Sequence, residues 1–576
     1  MLPIFALLPI IAGAFILLVP SFKWSKHIAL ASSLLSLFLI ILIVLAPPSS
    51  YNLQWFSIYG IDISLILATY ALNKILLILV GIITPLIFFY SFGYMDVPSE
   101  QKRFYFEISI FAASMMLFAI SNNFISLFIA WEFLGITSYL LIGFWRYNQK
   151  ALLASRKAIT TIIIGDLLLL IAIAWIYIAT SSFNFSAISY SKAISIPLVL
   201  IALAIFTKSA QLPFEEWLPD AMEGPTPVSA FLHSSTMVKA GVFLAMLLFP
   251  LYSAANLLWL FLVFGIITSI IAVTNAISEY HIKRILAYST MEDLGLMFIA
   301  LGLGNLYVAL VLFIVQTFYK ALLFMASGSI MKANDGETNI YRLFNSKSNS
   351  ILYYSMLIGV ISFAGIFPLG GFFGKVSIEA LASNAIEYAI LLAIDFGSSI
   401  YIFRWLILPS RNFTGSKNPS INYKFLPISM EISELAVAAL VAVSGLSFIF
   451  IQQLSHISIS VVSSLIETLC VAAGFIVAYL MFKASKFSFH PSKRLFNLAY
   501  NSIFVNIAYS YVVKAFEIIS EYMSYFDEFV DRVFIYSGKT TIIFARKLAK
   551  IVTGNVDTYA FAILIGIILI ILIISF

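Results

Sequence analysis

The sequence predicts an all-α polytopic membrane protein, and three observations carry that prediction. Hydrophobic residues make up 62% of the 576-residue chain and charged residues only 10%, where soluble domains run at about 45–50% and about 25%. Apolar runs recur from end to end, each long enough to cross a hydrocarbon core of about 30 Å. The basic residues between the runs collect in alternate connections, among them Lys23, Lys26, Lys102, Arg103, Arg146, Lys150, Lys283, Arg284, Lys347 and Arg411. The intervening connections hold little besides Lys192, so the positive-inside rule places both termini outside the cell.

The runs give about sixteen spans. Their limits are 2–20, 27–47, 69–92, 104–120, 122–145, 158–180, 195–212, 227–250, 256–278, 283–303, 305–331, 350–374, 384–408, 430–452, 460–482 and 557–576. The first lacks a basic leader and a small-residue cleavage site, which makes it a retained helix. Residues 48–68, entered through Pro47-Pro48, mix polar and apolar side chains and predict an extended or hairpin-like surface segment. Residues 490–550 mix aromatics with charge, as in Phe516-Glu517 and Phe529-Val530-Asp531-Arg532. That pattern predicts a long amphipathic helix on a cytoplasmic membrane face, with a break offered at Ser537-Gly538.

The totals also exclude functions. The net charge of +6 is spread over short connections and forms no basic domain, which argues against nucleic acid. A single cysteine, Cys470, makes no internal disulfide and holds no iron–sulfur cluster. With five His and no CxxC or HExxH there is no ordinary metal site, and no glycine-rich phosphate loop precedes a helix. The chain is expected to bind no cofactor of its own. Most of the 53 Phe and 29 Tyr are packing or lipid-facing residues.

Two spans share the pattern Glu-x-Leu-Gly: Glu132-Phe133-Leu134-Gly135 and Glu292-Asp293-Leu294-Gly295. Two spans after each, an apolar helix is interrupted beside a lysine, at Lys208 with Pro213 and at Pro368-Leu369-Gly370-Gly371 with Lys375. A displacement of five spans, an odd number, turns one copy over relative to the other, the arrangement that marks a transporter's midplane site. The chain then divides into N-terminal helices (1–103), two inverted five-helix repeats (104–250 and 251–408), further spans (409–489), a lateral helix (490–556) and a C-terminal anchor (557–576).

Ionisable residues inside the spans are the chemical signal. Glu132, Asp166, Lys208, His233, Lys239, Glu292, Asp293, Lys320, Lys375, Asp395 and Arg404 all fall within spans or at their breaks. Each costs at least about 2.5–3.5 kcal/mol at a helix centre unless it faces water or a partner. A Glu132–Lys208 contact would hold both groups charged, and its separation would let Lys208 release a proton. Competing readings make Lys239 or Lys320 a structural partner of a carboxylate, His233 a hydrogen-bonded core histidine, and Asp395 and Arg404 structural or interfacial. Glu292 and Asp293, adjacent in sequence, point in different directions and serve different partners.

The stretch Thr207-Lys208-Ser209-Ala210-Gln211-Leu212-Pro213, followed by Trp217-Leu218-Pro219-Asp220-Ala221-Met222-Glu223-Gly224-Pro225-Thr226-Pro227-Val228-Ser229-Ala230-Phe231-Leu232-His233, resembles the antiporter-like L subunit of respiratory complex I, subunit 5 in mitochondria. Ile282-Lys283-Arg284-Ile285-Leu286-Ala287-Tyr288-Ser289, Lys320-Ala321-Leu322-Leu323-Phe324 and Gly371-Phe372-Phe373-Gly374-Lys375 extend the resemblance over roughly residues 105–410. It implies a proton-translocating subunit of a complex I-like NADH- or ferredoxin-type quinone oxidoreductase in a prokaryotic plasma membrane. Iron–sulfur clusters and quinone would belong to partner subunits, and residues 490–556 would contact M-, N- and K-type subunits. Matching positions make Glu132 and Lys208 the switch pair, with Asp166 beside them. Lys320 becomes the central relay, Lys375 the outward lysine, and His233 part of the path. Family histidines before the central lysine are replaced by Leu312 and Gln316, which leaves water, Thr317 or Tyr319 to serve Lys320. Val376 stands where an aspartate usually follows the outward lysine, and Ile163 where an arginine is common. Lys239 in Met237-Val238-Lys239-Ala240-Gly241 is similar to Mrp-type sodium/proton antiporters. The alternatives are therefore such an antiporter, the membrane arm of an ion-pumping hydrogenase, or a proton channel serving inorganic-carbon uptake.

Overall fold

A computed structural model describes residues 22–58, 61–185, 188–344, 346–410, 425–455, 460–482, 505–551 and 556–574, with short stretches among residues 9–18. Hydrocarbon offers no partner for a backbone N–H or C=O, so apolar sequence satisfies its backbone as helix. The first helices are α1 (Phe22–Leu45), α2 (Ala71–Tyr94), α3 (Pro98–Ile120), α4 (Phe124–Ile142), α5 (Gln149–Thr180) and α6 (Ser195–Lys208). There follow α7 (Thr226–Ser234), α8 (Met237–Leu247), α9 (Leu258–Ser278), α10 (Ile282–Gly302), α11 (Leu306–Ala333), α12 (Ser350–Ala364) and α13 (Gly370–Glu379). The last are α14 (Ala385–Ile407), α15 (Ile428–Ser444), α16 (Leu446–Ser455), α17 (Val461–Phe482), α18 (Val505–Ile551) and α19 (Val556–Ile574).

Asparagines start many of them. The side chains of Asn123, Asn148, Asn305, Asn349 and Asn384 each accept a hydrogen bond from a backbone N–H in the first turn of α4, α5, α11, α12 and α14. A short side-chain oxygen there replaces a partner that the helix itself cannot supply.

Twelve helices among the described residues are long and apolar enough to cross a membrane, rather than sixteen. The four missing spans have particular causes. The first, 2–20, lies largely outside the described residues. The expected span 195–212 stops after 14 residues, at Lys208. Residues 350–374 divide into α12 and α13, separated by Gly365–Leu369, and the last span has only a shorter apolar stretch, Tyr559–Ile570. Gly370 and Gly371, expected in that break, instead open α13, while Pro368 lies within the break. Pro213 follows the end of α6, and Leu212-Pro213 and Phe367-Pro368 are both cis. A further interruption went unforeseen, because the expected span 227–250 is broken at Ser235-Thr236 between α7 and α8.

The segment 48–68 forms an antiparallel hairpin of β1 (Ser50–Ile58) and β2 (Ile61–Ala68), pairing Tyr51 with Leu67 and Leu53 with Leu65. It grips the α3–α4 turn, where Asn122 N–H donates to the Ile66 carbonyl at 2.8 Å and Asn123 Nδ2 to the Ser64 carbonyl at 2.7 Å.

Met1–Ile503 and Phe504–Phe576 form two separate compact units. In the first, α10 and α11 are buried along nearly their whole length, whereas α5 leaves Ile163, Ile164, Leu167, Leu170 and Ile171 exposed. Lipid tails are as apolar as these side chains, so the position of α10 and α11 matters more than their hydrophobicity. In the second unit, α18 runs for 47 residues without a break at Ser537-Gly538. The expected beginning of that helix, 490–504, lies outside the described residues.

Candidate functional site: a buried line of charge

Helix ends and helix interiors together bring ionisable groups inside at three stations. At the first, α6 stops with Lys208 fully buried, and its Nζ donates to the Trp131 carbonyl of α4 at 2.6 Å. The same ammonium lies 4.2 Å from the centre of the Trp131 ring and 3.5 Å from Asp166 Oδ1 of α5. Trp131 Nε1 donates to that Asp166 oxygen at 2.6 Å, which closes a triangle of indole, carboxylate and ammonium. Gly135 has its place in this arrangement. A Cβ there would sit 3.6 Å from Asp166 Oδ2 and 3.7 Å from Lys208 Nζ, so any longer side chain would enter the charged site. The direct carboxylate partner of Lys208 is Asp166. Glu132 is half-buried next to Trp131, near enough to feel both charges but making no ion pair among the described residues.

The break between α7 and α8 supplies the second set. Ser209 Oγ, one residue beyond α6, donates to the Val238 carbonyl at 2.8 Å, and the next residue is Lys239. Lys239 is fully buried; its Nζ donates to the Phe313 carbonyl of α11 at 2.5 Å and to the hydroxyl of Thr317. No carboxylate lies within ion-pair distance of it among the described residues. His233 is also fully buried, its ring packs on Phe324 at 5.4 Å, and neither ring nitrogen has a partner among the described residues. Among the described residues it is therefore not a hydrogen-bonded core histidine. The Gln316 amide donates to the His233 backbone carbonyl at 3.4 Å.

Phe313, Gln316, Thr317 and Lys320 recur along α11 at helical spacing and so share one face. Lys320 ends this stripe and is the second station, 3.0 Å from Asp293 Oδ2 and 2.5 Å from Ser289 Oγ of α10. Of the expected helpers, Tyr319 lies beside Asp293 whereas Thr317 serves Lys239. Glu292 faces elsewhere, accepting from the Tyr401 hydroxyl of α14 at 2.5 Å. The adjacent acids thus serve different partners.

Lys375 of α13 is the third station, 2.7 Å from Asp395 Oδ1 and 3.1 Å from Ser398 Oγ of α14. Asp395, read as structural or interfacial, is the direct partner of Lys375. It supplies from a neighbouring helix the carboxylate that the residue after Lys375, Val376, does not provide. Lys320 and Lys375 both lie against the Phe363 ring, at 4.3 and 5.2 Å from its centre. Arg404 takes the other course, donating to the carbonyls of Ala276, Ile277 and Glu279 at 2.6–2.8 Å, where α9 ends. Sequence reasoning missed the buried acids Glu379, Glu434 and Glu467. Glu467 was visible only as one carboxylate in an apolar stretch, Glu434 stands one turn after Glu431, and Glu379 stands one turn after Lys375.

The family described as NADH:quinone oxidoreductase/Mrp antiporter, TM, matches residues 121–400, which hold all three stations. NADH-quinone oxidoreductase subunit L of Campylobacter jejuni is 32% identical, with 84% of each chain aligned. The chain belongs to this family. Another member, F(420)H(2) dehydrogenase subunit L of Methanosarcina mazei, is 31% identical over 95% of this chain and 93% of that protein. NAD(P)H-quinone oxidoreductase subunit 5 of Carpenteria californica chloroplasts is 35% identical over 72% of this chain and 61% of its own length. The fold is shared with a chain in the structure of the Mrp complex from Dietzia sp. DQ12-45-1b, with a TM-score of 0.75, 22% identity, and coverage of 90% of this chain and 60% of that one. As an antiporter-like membrane subunit, this chain offers no group of three His, Cys, Asp or Glu able to hold a metal among its described residues.

Proposed function

We propose that this antiporter-like subunit translocates protons outward in a complex I-like quinone oxidoreductase, the electrons being carried by iron–sulfur clusters and quinone in partner subunits. The observation that carries this reading is the succession of three buried lysine–aspartate contacts, Lys208–Asp166, Lys320–Asp293 and Lys375–Asp395, on different helices of one interior. Moving an acid toward or away from a buried lysine changes the lysine's hold on its proton.

Glu132 is the movable member of the first station, since it stands beside Lys208 without being locked to it. Loss of the Lys208 charge leaves Asp166 short of a partner and favours proton movement toward Lys239. His233 and Gln316, buried polar groups with nitrogen or oxygen atoms that no group among the described residues satisfies, favour water as the link from there to Lys320. Lys320 is the central relay and Lys375 delivers outward; Glu292, Asp293, Thr317 and Tyr319 are accessory. The breaks after Lys208 and at Gly365–Leu369 place non-helical backbone in the interior, which is tolerated where it lines a hydrated passage.

The same reading takes residues 104–250 and 251–408 as inverted repeats, 409–489 as additional spans and 557–576 as an anchor. It takes α18 as a lateral helix lying along M-, N- and K-type subunits on the cytoplasmic side of a prokaryotic plasma membrane. Cation/proton antiport of Mrp type is the second reading, favoured by Lys239, which makes no ion pair among the described residues. In sealed vesicles containing the assembled complex, Lys208→Met and Glu132→Gln should each reduce proton uptake per quinone reduced severalfold. Unchanged uptake with the complex intact would defeat the assignment. Transport that requires sodium and proceeds without quinone reduction selects the antiporter.

A further inference from the structure

The outward end of the charged line holds more acid than its lysine can balance. Besides Asp395, Lys375 is approached by Glu379 at the last turn of its own helix and by Glu467 of α17. Both carboxyls are buried, and none of their four oxygens receives a hydrogen bond from a donor among the described residues. Glu467 points into the cluster. A Cβ placed on Gly365, the left-handed residue that ends α12, would lie 2.7 Å from Glu467 Oε1 and 3.1 Å from Lys375 Cδ. The Glu379 carboxyl lies against that of Asp395, within hydrogen-bonding reach of it once a proton stands between them. The remaining charged or titratable neighbours are Glu292 of α10, whose carboxyl already takes the Tyr401 hydroxyl, Tyr388 of α14, Cys470 of α17, and Lys320 across the Phe363 ring. Lys320 is the one positive charge among these, and Asp293 at 3.0 Å balances it.

We propose that Asp395, Glu379 and Glu467 form a proton store around Lys375 that keeps two carboxyls protonated while the third balances the ammonium. Three carboxylates and one ammonium would bury a net charge of −2, which hydrocarbon surroundings do not tolerate. Two carboxyls in contact cannot both be ionised, so one proton bridges Asp395 and Glu379. Protons rather than a metal ion fill the role, because the acids do not converge on a common metal position among the described residues. A proton arriving from Lys375 passes to the Asp395–Glu379 pair, leaving all three carboxyls protonated and Lys375 neutral; Glu379 or Glu467 then releases one proton outward, which returns the store to two. This rests on the reading of Lys375 as the outward lysine.

The test is infrared spectroscopy of the purified, assembled complex at neutral pH, before and after exchange into heavy water. The wild type should show a protonated-carboxyl C=O band that shifts on exchange. Glu379→Gln and Glu467→Gln should each remove part of it, and the double variant most of it. Co-purification of the partner subunits establishes that the variants remain assembled, and both substitutions keep the side-chain volume. A band unchanged in the double variant overturns the store, as does its absence from the wild type. Lys208→Met should leave the band in place. If that variant pumps normally while the band behaves as expected, the pumping assignment fails and the store stands.

Discussion

At the scale of single residues, the environment separates transport groups from structural ones more sharply than residue type does. Arg404 and Lys239 are both buried cations bound to backbone carbonyls, yet only Arg404 satisfies the end of a helix. Arg404→Ala strips three carbonyls of a charged donor and should lower stability by roughly 3 kcal/mol. Thermal unfolding of the complex would register that, with pumping per assembled complex unchanged. Thr317→Val should instead lower pumping at little loss of thermal stability, because it removes a hydroxyl that holds the Lys239 ammonium.

His281, at the start of α10 and outside the spans, gives a pH prediction. Burial first, then the charges of Lys283 and Arg284, push its imidazole down to about 3. The unfolded chain takes up that proton near about 6.5 while the folded one does not. Stability from this residue is therefore complete above the unfolded value and is lost as pH falls toward the folded one, at up to about 1.4 kcal/mol per pH unit. His281→Asn keeps a capping acceptor for Lys283 N–H, which the imidazole now supplies at 3.2 Å, and should flatten the acid slope of a stability profile. A slope identical to wild type would contradict the cause given.

At the scale of elements, two of the three lysines, Lys208 and Lys375, sit beside helix breaks. Gly365 terminates α12 at φ +79°, directly under Glu467 and Lys375. Gly365→Ala adds a left-handed penalty of about 1–2 kcal/mol and forces the acid or the lysine aside. It should depress both thermal stability and pumping, whereas Gly336→Ala, at φ +83° in open space, should affect stability alone. In α18, Gly538→Pro removes an interior hydrogen bond at a cost of about 3 kcal/mol. If this helix holds neighbours together, partner subunits should be lost on purification while the chain itself still inserts in membranes.

The elements also show what could be read without coordinates. Apolar runs gave the continuous spans because length and composition alone decide whether a helix crosses hydrocarbon. Runs average away a short polar interruption inside an apolar stretch. Ser235-Thr236, preceded by His233 and Ser234, separates Phe231-Leu232 from Met237-Val238 without lowering the hydropathy of the whole run enough to mark a break. Gly370-Gly371 misled in the opposite direction, since glycines that open a helix look like glycines that break one.

For the molecule as a whole, the chemistry was legible as a set of costly residues but not as a set of pairs. Lys208, Lys320 and Lys375 stood out by their price in lipid; their direct partners Asp166, Asp293 and Asp395 come from other helices and could be ranked only by packing. The same packing relegates Glu132 from the contact partner of Lys208 to a nearby charge. Asp166→Asn should consequently impair pumping at least as much as Glu132→Gln when both are measured in the same sealed vesicles. The reverse order would return the first station to the glutamate.

The aromatic ring of Phe363 has two ammonium groups drawn up to it, one from Lys320 and one from Lys375. Cations that share so small a partition repel across it, and full charge on one makes charge on the other dearer. Each therefore leans on its own carboxylate, Asp293 or Asp395, to offset the other's field, so withdrawing either acid should loosen the proton held by the neighbouring lysine across the ring.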